Sequence, residues 1–164
     1  MTALTRRQLL VGSVGGVGFL AGLGGGRGGA PRLASAEELE GTPAAPAVVR
    51  ELETALAQAI ARFEAKDLAG ILAHVSDDYW TGPFTKKTVR AQLAAIFQTH
   101  REVRAPIRID DVRMVGGHAW VYSTGAMEGL LPLVNRWYAL FSWEHELEVA
   151  RQEGGSWRLY GYQN

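Results

Sequence analysis

At His100 the hydrophobic pattern of this chain changes period, and that change limits its fold more than any single motif does. Before it, apolar residues recur at helical spacing. Val48, Val49, Leu52, Leu56, Ile60 and Phe63 fall on one face between charged residues, which predicts an amphipathic helix over Ala47 to Ala65. Asp67 is placed to cap a short second helix that buries Leu68, Ile71, Leu72 and Val75. After a Gly82-Pro83 turn, Thr85 or Thr88 caps a third helix with Val89, Leu93, Ile96 and Phe97 as its buried stripe.

Beyond His100 apolar and polar residues alternate, the period of a half-buried strand. Val103, Ala105, Ile107 and Ile109 share one phase, whereas Val112 and Met114 take the other, so a bulge is expected near Asp110-Asp111. Gly116-Gly117 turns the chain into a strand from His118 to Met127. A loop around Gly129 to Asn135 leads to the longest strand, Arg136 to Gln152, and Gly154-Gly155 turns that into the last, Trp157 to Tyr162. Helices followed by a long antiparallel sheet make an α+β fold, three N-terminal helices packed on a strongly curved, mainly antiparallel sheet.

The first 36 residues do not belong to that body. They hold four arginines, no acidic residue and ten of the chain's 20 glycines. A basic patch, an apolar Gly-rich run from Leu9 to Leu23 and a small-residue stretch ending Ala34-Ser35-Ala36 follow the order of an export signal, with cleavage after Ala36. Arg6-Arg7 before Gln8-Leu9-Leu10 resembles a twin-arginine signal, which implies the twin-arginine export machinery and signal peptidase as partners and a periplasmic or extracellular destination. The run is too short and too rich in glycine for a permanent membrane anchor, which needs about 20 apolar residues. Residues 37–46, acidic and then Pro/Ala-rich, read as a flexible leader to a domain over 47–164.

Without the signal, 128 residues remain, enough for one core. Its 13 basic and 17 acidic residues give a formal net charge of −4, which offers nucleic acid no attraction. The absence of cysteine excludes disulfides, thiol catalysis and iron–sulfur clusters. No His and carboxylate cluster has metal-ligand spacing and no glycine pattern opens a helix after a strand, so neither a metal nor another cofactor is expected.

Three segments in this order resemble the nuclear transport factor 2-like superfamily, which includes ketosteroid isomerase, scytalone dehydratase and SnoaL-type cyclases. They are Phe63-Glu64-Ala65-Lys66-Asp67-Leu68 between the first helices, Ser76-Asp77-Asp78-Tyr79 before the first strand, and Gly154-Gly155-Ser156-Trp157-Arg158-Leu159 at the final hairpin. The resemblance spans residues 47 to 164 and implies a cone-shaped, cystatin-like sheet. It also implies what is missing. The isomerase's oxyanion-donating tyrosine falls at about Ala59 and its general-base aspartate at Gly82, so the isomerase pair is absent. The dehydratase set is not excluded, since His118, His145, Tyr79 and Asp78 are present.

Along the longest strand the odd positions Trp137, Ala139, Phe141, Trp143, His145, Leu147 and Val149 make an apolar face broken by one histidine. Glu144, Glu146 and Glu148 make the opposite, solvated face. Tyr79, Trp80, Trp120, Tyr122 and Tyr160 are expected to border the same concavity as Phe141, Trp143 and His145, forming an aromatic pocket for a small apolar molecule. Inward aromatics are more often plain core, and a histidine among them is more often hydrogen-bonded packing than catalyst. His74 and His100 read as surface residues. The leading expectation is an exported small-ligand-binding or accessory domain. A lyase or isomerase using His145 as acid or base is the alternative, and a module that forms a homodimer through the outer sheet face is a third.

Overall fold

The computed structural model describes residues 41–162, so the export signal and its cleavage site lie outside the described residues. The chain runs β1 (Thr42–Pro43), α1 (Pro46–Glu64), α2 (Leu68–Ala73), β2 (Trp80–Thr81), β3 (Phe84–Thr85), α3 (Lys86–Thr99), β4 (Glu102–Arg104), β5 (Ile107–Val115), β6 (His118–Leu131), β7 (Arg136–Glu153) and β8 (Ser156–Leu159). This is an α+β fold on a curved antiparallel sheet of order β1-β5-β6-β7-β8, with β4 pairing β6 and with β2-β3 as a separate ribbon. The helices do not all precede the strands, because β1 comes first and the ribbon separates α2 from α3. Residues 42–43, read as leader, instead pair with Met114 and Arg113 of β5.

Local chemistry explains the helix boundaries. Pro46 opens α1 where a missing N–H is harmless. Lys66, in the left-handed region at φ 56°, ends that turn, and its ammonium donates to the carbonyls of Phe97 and His100, tying the ends of α1 and α3 together. Asp67 caps α2 by accepting from Gly70 N at 2.9 Å. Thr85 and Thr88 cap α3 reciprocally.

The sheet bends where its register slips. One slip lies between Ile109 and Asp111 in β5, as the phase change there predicts. Two more, not foreseen, lie in the β6–β7 pairing: Ser123 opposes Glu146 but Gly125 opposes Trp143, and Met127 opposes Phe141 but Glu128 opposes Ala139. Gly129, expected in a loop, lies inside β6 opposite Tyr138. A Cβ there would come within 2.3 Å of the His100 ring, so this glycine makes room for packing rather than for a turn.

Two apolar clusters form the core. Leu52, Val112, Ala119, Ala150 and Trp157 fill one end, and Phe63, Ile71, Leu93, Val103 and Ala105 the other. Residues of both clusters border a cavity between helices and sheet.

Candidate functional site

The cavity has a volume of about 320 Å³. Leu56, Ala59 and Ile60 of α1 face Ile109, Val121 and Phe141 of the sheet across it. Its polar wall groups include His74, Tyr79, Gln92, Ser123 and Glu148. Trp143 is fixed in the wall by donating from Nε1 to Ser123 Oγ at 3.0 Å. Ala59 lines the space where the resemblance puts a catalytic tyrosine, so a methyl group stands in place of a phenol. Gly82 is an exposed turn residue at φ 55°, outside the cavity lining.

Of the eight residues expected in the pocket, Tyr79, Phe141 and Trp143 line it. The others do not. Trp80 sits on the short ribbon with 43% of its surface exposed. Trp120, Tyr122 and Tyr160 lie on the outer sheet face, where Trp120 packs on Tyr162, Tyr160 stacks on His118 at 5.2 Å, and Tyr122 stacks on His145 at 4.9 Å.

His145 is the main correction. The bulge opposite Thr124 inserts one extra residue in β7, and a one-residue slip exchanges the two faces of a strand. His145 therefore points outward, half exposed, at φ 47°, with its N–H donating to Thr124 Oγ1 at 3.0 Å and Nδ1 3.6 Å from Asp110 Oδ2. It cannot act as acid or base inside the cavity. The same reversal brings Glu148 and Ala150 to the inner face, so Glu148, read as a solvated residue, lines the cavity. One trace of this exists in the sequence: Glu144-His145-Glu146 puts three polar residues in succession, which no uninterrupted strand alternation does.

The two histidines read as surface are half-buried. His100 places Nδ1 3.0 Å from the Ile96 carbonyl. His74, the C-terminal cap of α2, lines the cavity. Burial, and then the positive charges of Arg62 and Arg158, push its pKa below the ordinary 6.5. Folding therefore releases protons between that lowered value and 6.5. Stability should be complete above pH 6.5 and fall as the pH drops toward the lowered value. Thermal melts of the full chain across this range should show the slope, and H74Q should flatten it. The Glu153 carboxyl, lowered by its hydrogen bonds from Ser76 and Arg151, acts in a separate window below 4.5.

Among the described residues no three His, Asp or Glu side chains converge on a metal-sized site. No family model matches the chain, and no curated protein matches it. Solved structures do share its shape. A conserved Planctomyces limnophilus protein superposes with TM-score 0.60 at 16% identity, over 70% of this chain and 92% of that one. A Novosphingobium aromaticivorans protein named as a candidate scytalone dehydratase gives TM-score 0.60 at 12% identity, over 70% and 80%. A Streptomyces avermitilis protein named as a candidate dehydratase of the nuclear transport factor 2-like family gives 0.54 at 14%, over 71% and 95%. The chain has the nuclear transport factor 2-like fold. In this nuclear transport factor 2-like cone the cavity lies between helices and curved sheet, and the wall residues, not the fold, decide what it holds.

Proposed function

We propose that this domain is exported and binds a small, mainly apolar molecule in its cavity, without the isomerase pair. The observation that carries the reading is a space of about 320 Å³ between helices and sheet, apolar over most of its wall and with a few polar side chains, the usual construction of a small-molecule site. A fully packed interior would have excluded it. Thermal-shift screening of the full chain against polycyclic and aromatic metabolites is expected to find compounds that raise Tm. A59W, which extends an indole from α1 into the cavity, should lower affinity for those compounds at least tenfold while leaving the far-UV circular dichroism unchanged. Compounds that bind A59W as tightly as the parent chain would place the site elsewhere.

A lyase or isomerase is the second reading, and one observation favours it. Glu148 brings a proton-transferring group into a largely apolar chamber, a role His145 is too exposed to fill. A ligand found by the screen, incubated with native chain and with E148Q, separates the readings: turnover lost in E148Q with binding retained indicates an enzyme.

A further inference from the structure

Among the described residues the large apolar side chains most open to solvent are Trp80, Leu133 and Val134. Two of the three are neighbours on the turn that joins β6 to β7, Leu133 at 99% exposure and Val134 at 58%. Scattered surface hydrophobics need no explanation, but a bulky pair on one hairpin tip does. The tip is also braced. Asn135 N donates to the Leu131 carbonyl at 3.0 Å and closes the turn. Arg101 donates from its backbone N to the Leu130 carbonyl at 2.8 Å and from Nη2 to Asn135 Oδ1 at 2.9 Å. Leu133 and Val134 therefore sit on a hydrogen-bonded frame.

The charges and rings behind the tip are of one kind. No acidic residue occurs from Gly129 to Trp143, and the one charge in that stretch is Arg136. Its guanidinium carbon lies 5.7 Å from the Tyr138 ring centroid, and it pairs with no carboxylate among the described residues. Arg101 and Arg104, by contrast, are paired with Glu102 and Glu128. Trp137 carries the Arg104 guanidinium 4.3 Å above its ring.

We propose that this turn is a peripheral membrane contact, in which Leu133 and Val134 enter the interface of a bilayer containing anionic phospholipid and Arg136 meets a headgroup phosphate. Two aliphatic side chains at a hairpin tip cannot supply the roughly 800 Å² per partner of a stable protein interface. A fluid acyl boundary needs no matching pocket, and it rewards apolar surface in proportion to area. The guanidinium presents a planar fork that fits phosphate, and Trp137 and Tyr138 are side chains of the kind that settle at headgroup level. Charges farther than about 8 Å are largely screened at physiological ionic strength, so the domain's more distant carboxylates do not cancel Arg136. The contact is peripheral, since no helix among the described residues is long and apolar enough to cross a membrane.

The chain has no cysteine, so L133C takes a solvatochromic fluorophore at that position alone. K87C provides the control: Lys87 is exposed at the start of α3, and it is the far end of that helix, at His100, that touches Gly129. Each labelled full chain is titrated with vesicles of phosphatidylcholine alone and of phosphatidylcholine with phosphatidylglycerol, at about 0.15 M salt. The label at 133 is expected to shift to shorter wavelength and brighten at least twofold with the anionic vesicles, while the label at 87 stays unchanged. Adding R136Q to L133C should raise the lipid concentration for half-maximal response about fivefold, the effect of one basic residue near an anionic surface. Adding V134S should raise it at least threefold. A label at 133 that stays in water, or one matched by the label at 87, overturns the proposal. So does a shift produced by protein concentration without vesicles, which would make the tip a contact between copies of this chain. Whatever the outcome, the cavity reading is untouched.

Discussion

Trp157→Ala should destabilise the chain by about 3–5 kcal/mol, the range for truncating a buried large aromatic. The indole is 9% exposed, packs with Leu52, Val112, Ala119 and Ala150, and donates from Nε1 to Glu51 Oε2 at 2.8 Å, so it joins β8 to α1. Removing it deletes apolar contacts, enlarges a space already bordering the cavity and takes the donor from Glu51. A domain of this size has about 5–15 kcal/mol in all. The variant should therefore melt far below the parent, and urea titration followed by circular dichroism would measure the difference. Trp80→Ala provides the contrast: the ring is 43% exposed, and its loss should change stability by no more than about 0.5 kcal/mol. Equal effects from the two would mean that the helix–sheet core is not assembled around Trp157.

Replacing Arg6 and Arg7 together by lysine should abolish export and leave the precursor inside the cell. The substitution is chosen because it preserves both charges. Arginine presents a planar fork of donors that a lysine ammonium cannot reproduce, so a receptor that reads guanidinium geometry rejects the variant. A route that needs only a positive amino terminus would accept it. Fractionation of cells expressing each form measures the outcome, and sequencing of the exported parent should begin within a few residues of Glu37. Continued export of the double-lysine form would favour the general secretory route.

The helices were legible because their signals are local. Asp67 caps α2 as its spacing predicts, Thr85 is the one of the two candidate threonines that sits at the N-cap of α3, with Thr88 bonding back to it, and the apolar stripes of α1 and α3 face the core. The bulge in β5 was legible too, since the apolar phase itself changes beside Asp110. The site was not. Its inner face depends on where β7 gains a residue against β6, and the partner strand and sheet curvature fix that. Reading the alternation of β7 through His145 without a break assigns Phe141 and Trp143 correctly and everything after them to the wrong side. Hence His145, Tyr122 and Trp120 were expected inside, whereas Glu148 was expected in water. His74 reads as a surface residue because a polar residue at the end of a short helix gives no sign of what lies beneath it.

The pairing of Thr42–Pro43 with β5 bears on how one rim of the sheet is covered. A sheet that does not close has two rims, and a rim of unpaired N–H and C=O groups is a template for a strand from another molecule. Here, at one rim, β8 covers only Ala150–Glu153 at the end of β7. On the other, β1 occupies the positions beside Arg113 and Met114, and its Pro43 has no N–H to offer outward. Arg113 holds this short guard in place by donating from Nη2 to the Gly41 carbonyl at 2.9 Å. Trimming the chain past Pro43 would leave the body's two cores untouched and uncover Arg113 and Met114, so two residues ahead of the first helix decide whether that end of β5 offers its backbone to solvent.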